Sequence, residues 1–253
     1  MLKKKTNWLL IFVISLMAFT MPQKKNIKLF MAGDSTMSIK EVKYYPETGW
    51  GMPFSIFFDS TVTVINRAGN GRSTRTFMTE GRWKLITDEL SEGDYVFIQF
   101  GHNDEVPTKA SATKPDEFKN NLVKYITETR EKKATPLLLT PMARRSFDST
   151  GKIKGTHDEN AAIIRIVAKE NNVILIDMDK KSQALYQQIG IENSKFLFNH
   201  LKPGEHPNYP DGKEDNTHFS EMGARLLAQM VLAEIKSLNL ELANRIIKQP
   251  VKK

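Results

Sequence analysis

Short apolar runs alternate with longer amphipathic stretches along the chain. Residues 27–32, 62–66, 95–100, 136–140 and 173–177 are rich in Val, Ile, Leu, Phe and Tyr and end near Gly, Asn, Asp or Pro, which marks them as strands. Their apolar positions are almost continuous, so both faces of each strand are expected to be buried. Between them, residues 83–90, 116–131, 159–171 and 220–238 read as helices. Residues 116–131 place Phe118, Leu122, Tyr125, Ile126 and Thr129 on one stripe. In 159–171 the stripe is Ala162, Ile163, Ile166 and Val167. In 220–238, opened by Ser220 as a cap, it is Leu226, Leu227, Met230, Val231, Ala233 and Ile235. Strand–helix alternation predicts an α/β fold, a parallel sheet with helices on both faces. Residues 108–115 and 198–216 read as long polar loops. With no internal repeat and no break in composition, residues 21–253 are expected to form one domain.

The first 20 residues read differently. Lys3, Lys4 and Lys5 precede an apolar run from Trp8 to Phe19, too short to span a bilayer comfortably, and Ala18 and Thr20 suit a cleavage site. Residues 1–20 are therefore expected to be a signal peptide, and the protein to be exported from a bacterium to the periplasm or the medium, free of the membrane after cleavage. Removing this segment leaves 34 Lys+Arg against 29 Asp+Glu, a charge of +5 over 233 residues. The chain has no Cys, which excludes disulfide staples, thiolate nucleophiles and thiolate zinc sites.

Ligands of such sheets bind at the carboxyl ends of the strands, and the loops there carry chemistry. Gly33-Asp34-Ser35-Thr36 follows the first strand, Asn66 to Ser73 the second, and Gly101-His102-Asn103-Asp104 the third. Asp215-Asn216-Thr217-His218 precedes the last helix. A serine nucleophile needs a base. Among the five His, His218 has an Asp three residues earlier, a spacing that lets Asp215 orient the imidazole and stabilise its protonated form. Acyl transfer also needs donors for an oxyanion. The backbone N–H groups of Ser35 and Gly71 and the side-chain amide of Asn103 can supply them.

Other readings carry less. Gly69-Asn70-Gly71 opens like a dinucleotide fingerprint but lacks the third Gly and follows the second strand. A non-catalytic sugar-binding protein has no need for Ser35, Asp215 and His218 together. The basic surplus comes with no nucleic-acid motif. His200, Glu205 and His206 share a loop, but their spacing matches no zinc pattern. Trp50, Phe77 and Trp83 are expected in the core or at its rim, with sugar stacking as the alternative. His157 is expected as a polar helix terminus, and Arg245, Lys248, Lys252 and Lys253 as a solvated tail.

The segments Ala32-Gly33-Asp34-Ser35-Thr36-Met37, Gly49-Trp50-Gly51, Gly69-Asn70-Gly71-Arg72-Ser73-Thr74-Arg75, Glu80-Gly81-Arg82-Trp83, Phe100-Gly101-His102-Asn103-Asp104 and Asp215-Asn216-Thr217-His218-Phe219-Ser220 resemble the SGNH/GDSL hydrolase superfamily, and within it the rhamnogalacturonan acetylesterases. The resemblance spans residues 27–238. It implies a three-layer α/β/α sandwich around a five-stranded parallel sheet of order 2-1-3-4-5. It also implies Ser35, His218 and Asp215 as a catalytic triad, with Ser35, Gly71 and Asn103 as the oxyanion site. The implied reaction is removal of O-acetyl groups from a plant polysaccharide, with acetylxylan as the alternative to rhamnogalacturonan. It needs no metal or organic cofactor, and nothing calls for an obligate protein partner. An acidic polymer would be gripped by arginine. Arg67, Arg72 and Arg75 surround Gly71, and Arg144 and Arg145 follow the fourth strand. Arg72, Arg75, Arg144 and His102 are the expected substrate contacts, with at least one of the five Arg paired internally to Asp34, Asp104 or Glu80.

Overall fold

The computed structural model describes residues 25–248. The expected signal segment, Lys252 and Lys253 lie outside them. A five-stranded parallel sheet runs β2-β1-β3-β4-β5, built from β1 (Ile27–Gly33), β2 (Val62–Asn66), β3 (Tyr95–Gln99), β4 (Thr135–Leu139) and β5 (Ile174–Ile176). The order is the one that the resemblance implied. Around the sheet lie α1 (Thr74–Thr79), α2 (Arg82–Glu89), α3 (Pro115–Glu131), α4 (Asp158–Glu170), α5 (Met178–Ile189), α6 (Ile191–Ser194) and α7 (Glu221–Ser237).

Side-chain alternation along the strands divides the core between the two faces. Leu29, Met31, Phe97, Leu137 and Leu139 meet Leu227, Val231 and Ile235 of α7. Phe30, Ala32, Val96, Ile98 and Leu138 meet α2, α3 and α4 through Ile86, Phe118, Leu122 and Ile164. Registers Met31↔Asn66 and Gly33↔Gln99 align the strand ends, so the loops after β1, β2 and β3 leave the sheet side by side.

The stripe of α3 is buried as expected, but two others are displaced. Helix α4 buries Ala161, Ile164, Val167 and Ala168, while Ala162 and Ile166 face solvent. Helix α7 buries Leu232, and Ala233 is exposed. Both helices hold more apolar residues than one face can bury, so composition alone left the choice of face open.

The expected loop at 198–216 contains an antiparallel pair, β6 (Phe198–Leu201) and β7 (Lys213–Phe219). Asp215 and His218 therefore sit on a strand ahead of α7, where the sequence placed a loop. Arg245 is no tail residue either: it is buried, donates to Thr61 Oγ1 at 2.8 Å and pairs with Glu241 at 2.6 Å. Trp50, Phe77 and Trp83 lie in the core, which removes them as sugar platforms.

Candidate active site

Ser35 stands on the turn that leaves β1. Asp34 shapes this turn by accepting from Thr36 N–H at 2.9 Å and Thr36 Oγ1 at 2.8 Å. The Gly49-Trp50-Gly51 segment lies directly against it. Trp50 N–H donates to Thr36 O at 2.9 Å, and a Cβ on Gly49 would come within 2.0 Å of Ser38 O, so only Gly permits that approach. Below the turn, Trp50 Nε1 donates to Gln99 Oε1 at 2.7 Å, and Gln99 Nε2 donates to Thr36 Oγ1 at 2.8 Å.

Strand β7 brings His218 across the chain to Ser35. His218 Nε2 lies 2.9 Å from Ser35 Oγ, and His218 Nδ1 lies 2.9 Å from Asp215 Oδ2. Asp215 Oδ1 accepts the backbone N–H groups of Thr217 at 2.7 Å and His218 at 2.9 Å. Burial pushes the Asp215 carboxyl up, but His218 and these two N–H donors outweigh it and hold the group well below the usual carboxylate range. An ionised Asp215 fixes the His218 tautomer with Nδ1 protonated, leaving Nε2 to accept the Ser35 proton.

The three expected oxyanion donors lie on the loops after β1, β2 and β3. Gly71 has φ +76°, a left-handed backbone that favours Gly. Among the described residues, neither Ser35 N–H nor Gly71 N–H donates to a protein acceptor. Asn103 donates through Nδ2 to Arg72 O at 3.1 Å and accepts from Lys109 Nζ at 3.0 Å. These bonds fix the amide plane, and the amide carries a second N–H.

His102, an expected substrate contact, is buried beneath the site. Its Nδ1 lies 3.1 Å from Asp34 Oδ2, and its ring packs edge-on against His157 at 4.3 Å between centroids. His157, expected at a polar helix terminus, is also buried and bonds Glu105 through Nδ1 at 2.9 Å. Desolvation lowers its pKa to about 4. For Asp34, burial is outweighed by His102 and Thr36, giving a pKa of about 2.

Every expected cationic contact is already engaged within the protein. Arg67 pairs with Glu89, Arg72 with Glu80, Arg75 with Glu117 and Arg144 with Glu105. Arg145 donates to Asn216 and Ser194. The Arg72–Glu80 pair is one of the internal pairings that the sequence anticipated.

One donor set was not anticipated. Glu47, Asp215 and His218 present atoms within 4.8 Å of one another. Glu47 is held by the Lys40 ammonium at 2.7 Å, and both His218 nitrogens are taken by Asp215 and Ser35, so the arrangement favours proton transfer over metal ligation. His200 turns instead to Asn216 Oδ1 at 3.0 Å. A cleft of about 1000 Å³ opens beyond Asn216, lined in part by Phe196, His200, Lys202 and Lys213.

A serine whose Oγ meets an Asp-oriented imidazole, at the strand ends of a 2-1-3-4-5 sheet, defines an acyl hydrolase site. The chain belongs to the GDSL-like lipase/acylhydrolase family, whose profile matches residues 32–226. It is 44% identical over 225 residues to rhamnogalacturonan acetylesterase RhgT of Bacillus subtilis (strain 168), covering 88% of this chain and 96% of that one. The crystal structure of YxiM from Bacillus subtilis superposes with a TM-score of 0.74 at 28% identity, over 86% of this chain and 58% of that one. An acetylxylan esterase from Geobacillus stearothermophilus shares the fold at a TM-score of 0.59 and 19% identity, over 89% and 98% of the two chains.

Proposed function

We propose that this enzyme removes O-acetyl groups from rhamnogalacturonan, an acidic plant cell-wall polysaccharide, by a double-displacement serine mechanism. The observation that carries the reading is the continuous Ser35–His218–Asp215 relay at 2.9 Å per link. Ser35 Oγ attacks the acetyl carbonyl as His218 Nε2 takes its proton, and Asp215 stabilises the imidazolium. The N–H groups of Ser35 and Gly71 and the Asn103 amide stabilise the oxyanion. His218 returns the proton to the departing sugar oxygen. Water, deprotonated by the same imidazole, then releases acetate and restores Ser35.

The substrate assignment rests on the extent of the similarity to RhgT and on local charge. The cleft beside Asn216 carries Arg145, Lys195, Lys202 and Lys213 against Glu192, Glu205 and Glu214, a small cationic surplus for the galacturonate carboxylates of a bound polymer, and Phe196 adds an exposed aromatic edge. Export, the reading proposed for the N-terminal Lys-rich and apolar segment, would bring the enzyme to such polymers.

The test is acetate release from acetylated rhamnogalacturonan, homogalacturonan and xylan, each with wild type and Ser35→Ala. Rhamnogalacturonan is expected to give the highest kcat/KM, and Ser35→Ala to lower kcat by several orders of magnitude. A preference for xylan would discard the pectic substrate and leave the esterase in place.

A further inference from the structure

Lys40 lies five residues beyond Ser35 and takes no part in the steps above. Its side chain has no exposed surface, and that of Glu47, its partner, is only 9% exposed. A buried ammonium needs acceptors for its three N–H donors. Lys40 finds three: the Glu47 carboxylate at 2.7 Å, the Ser35 carbonyl at 2.5 Å and Asn70 Oδ1 at 2.9 Å. Glu47 alone balances the charge, so what distinguishes this pair is where the remaining acceptors lie. The other two acceptors lie on loops that leave different strands, and each adjoins an oxyanion donor. One is the carbonyl of Ser35 itself, and the other is the side chain of the residue before Gly71. Ser38 Oγ reinforces the junction, donating to Asn70 Oδ1 at 2.6 Å. On its far side Glu47 approaches His218 and Asp215 within 4.8 Å, so the pair also borders the base.

We propose that Lys40 is a positioning residue for the oxyanion site: its ammonium ties the Ser35 turn to the Asn70–Gly71 loop and sets the spacing of the two backbone N–H donors. Glu47 balances the buried charge. The inference rests on Ser35 being the nucleophile. It predicts a loss specific to the transition state, because the donors bind the oxyanion more tightly than the ground-state carbonyl.

The test is steady-state hydrolysis of a small chromogenic acetate ester by wild type, Ser35→Ala, Asn70→Ala, Lys40→Met/Glu47→Gln and the triple variant Lys40→Met/Glu47→Gln/Asn70→Ala, with thermal melts of each. The double variant removes both charges together, so no lone carboxylate is left buried. Asn70→Ala cuts the tether at a half-buried position with little risk to folding. Asn70→Ala and the double variant are expected to lose roughly 10²-fold in kcat with KM within about twofold. The triple variant should be no worse than the weaker of the two, since both changes cut one tether. A folded Asn70→Ala with wild-type kcat, a loss confined to KM, or multiplicative losses in the triple variant would overturn the inference. If Ser35→Ala keeps wild-type turnover, the nucleophile assignment falls and takes this inference with it. If only Ser35→Ala is inactive, the inference alone fails.

Discussion

At the scale of single residues, the polar chemistry beneath Ser35 has a consequence for stability. His157 and Asp104 are both buried, and their pKa shifts oppose each other. Burial lowers His157 to about 4, so the stability gained by keeping it neutral is complete above its unfolded value near 6.5 and is lost as pH falls toward 4. Burial, with the Asp34 charge adding to it, raises Asp104 to about 6 against the lowering bonds from Thr74 and Thr113. Its contribution is complete below its unfolded value near 3.8 and is lost as pH rises through 6. Between pH 6 and 4 the two slopes offset one another. Asp104→Asn removes the counterweight, so urea unfolding of this variant should weaken relative to wild type by on the order of 2 kcal/mol as pH falls from 6 to 4. Parallel pH profiles for the two proteins would contradict the assignment. Ser35, Gly71, Asn103, Asp215 and His218 could be read from sequence because each sits in a short motif at a strand end or ahead of a helix. The Lys40–Glu47 pair and the His102–His157 contact carried no such signal. Their partners are brought together by loops whose course no periodicity encodes, and a buried Lys looks like a solvated one in sequence.

At the scale of elements, the strands and long helices emerged from apolar periodicity to within a residue or two at most ends, α3 and α7 especially. The hairpin β6–β7 did not. Its strands hold few apolar residues, and beyond Phe198, Asn199 and Phe219 their positions are half-buried or exposed, so the segment reads as a loop. Helix α5 was likewise hidden, since it follows β5 through Asp177 alone, and that residue caps it by accepting from Lys180 N–H. Helix α7 shows how an element is placed to hold β7. Ser220 caps it through Gly223 N–H at 3.1 Å. A Cβ on Gly223 would lie 1.9 Å from Leu197 O, just ahead of β6. Gly223→Ala gains about 1 kcal/mol in helix propensity. The rigid backbone contact should cost more, giving a net loss of roughly 1–3 kcal/mol. For a chain of this size that is a fall in Tm of about 2–4 °C per kcal/mol. An unchanged or raised Tm would show that α7 can move away from Leu197 freely.

At the scale of the whole molecule, the sheet order makes the site. Placing β1 between β2 and β3 puts the nucleophile turn between the two loops that carry Gly71 and Asn103, and β7 brings His218 to Ser35. With the expected arginines engaged internally, attraction for an acidic polymer falls to exposed lysines, whose fields are screened over about 10 Å at 0.1 M salt. The kcat/KM for acetylated rhamnogalacturonan should therefore fall as salt rises, while that for a small neutral acetate ester stays nearly level. Equal responses would remove charge from the recognition of substrate. The central claim is that Ser35 carries the acetyl group between substrate and water. Acid quenching during turnover of a chromogenic acetate ester, followed by intact-mass measurement and peptide mapping, tests it most directly. The account predicts one acetyl group per chain, located on Ser35 and absent from Ser35→Ala. Acetylation at another residue, or undiminished turnover in Ser35→Ala, would contradict it.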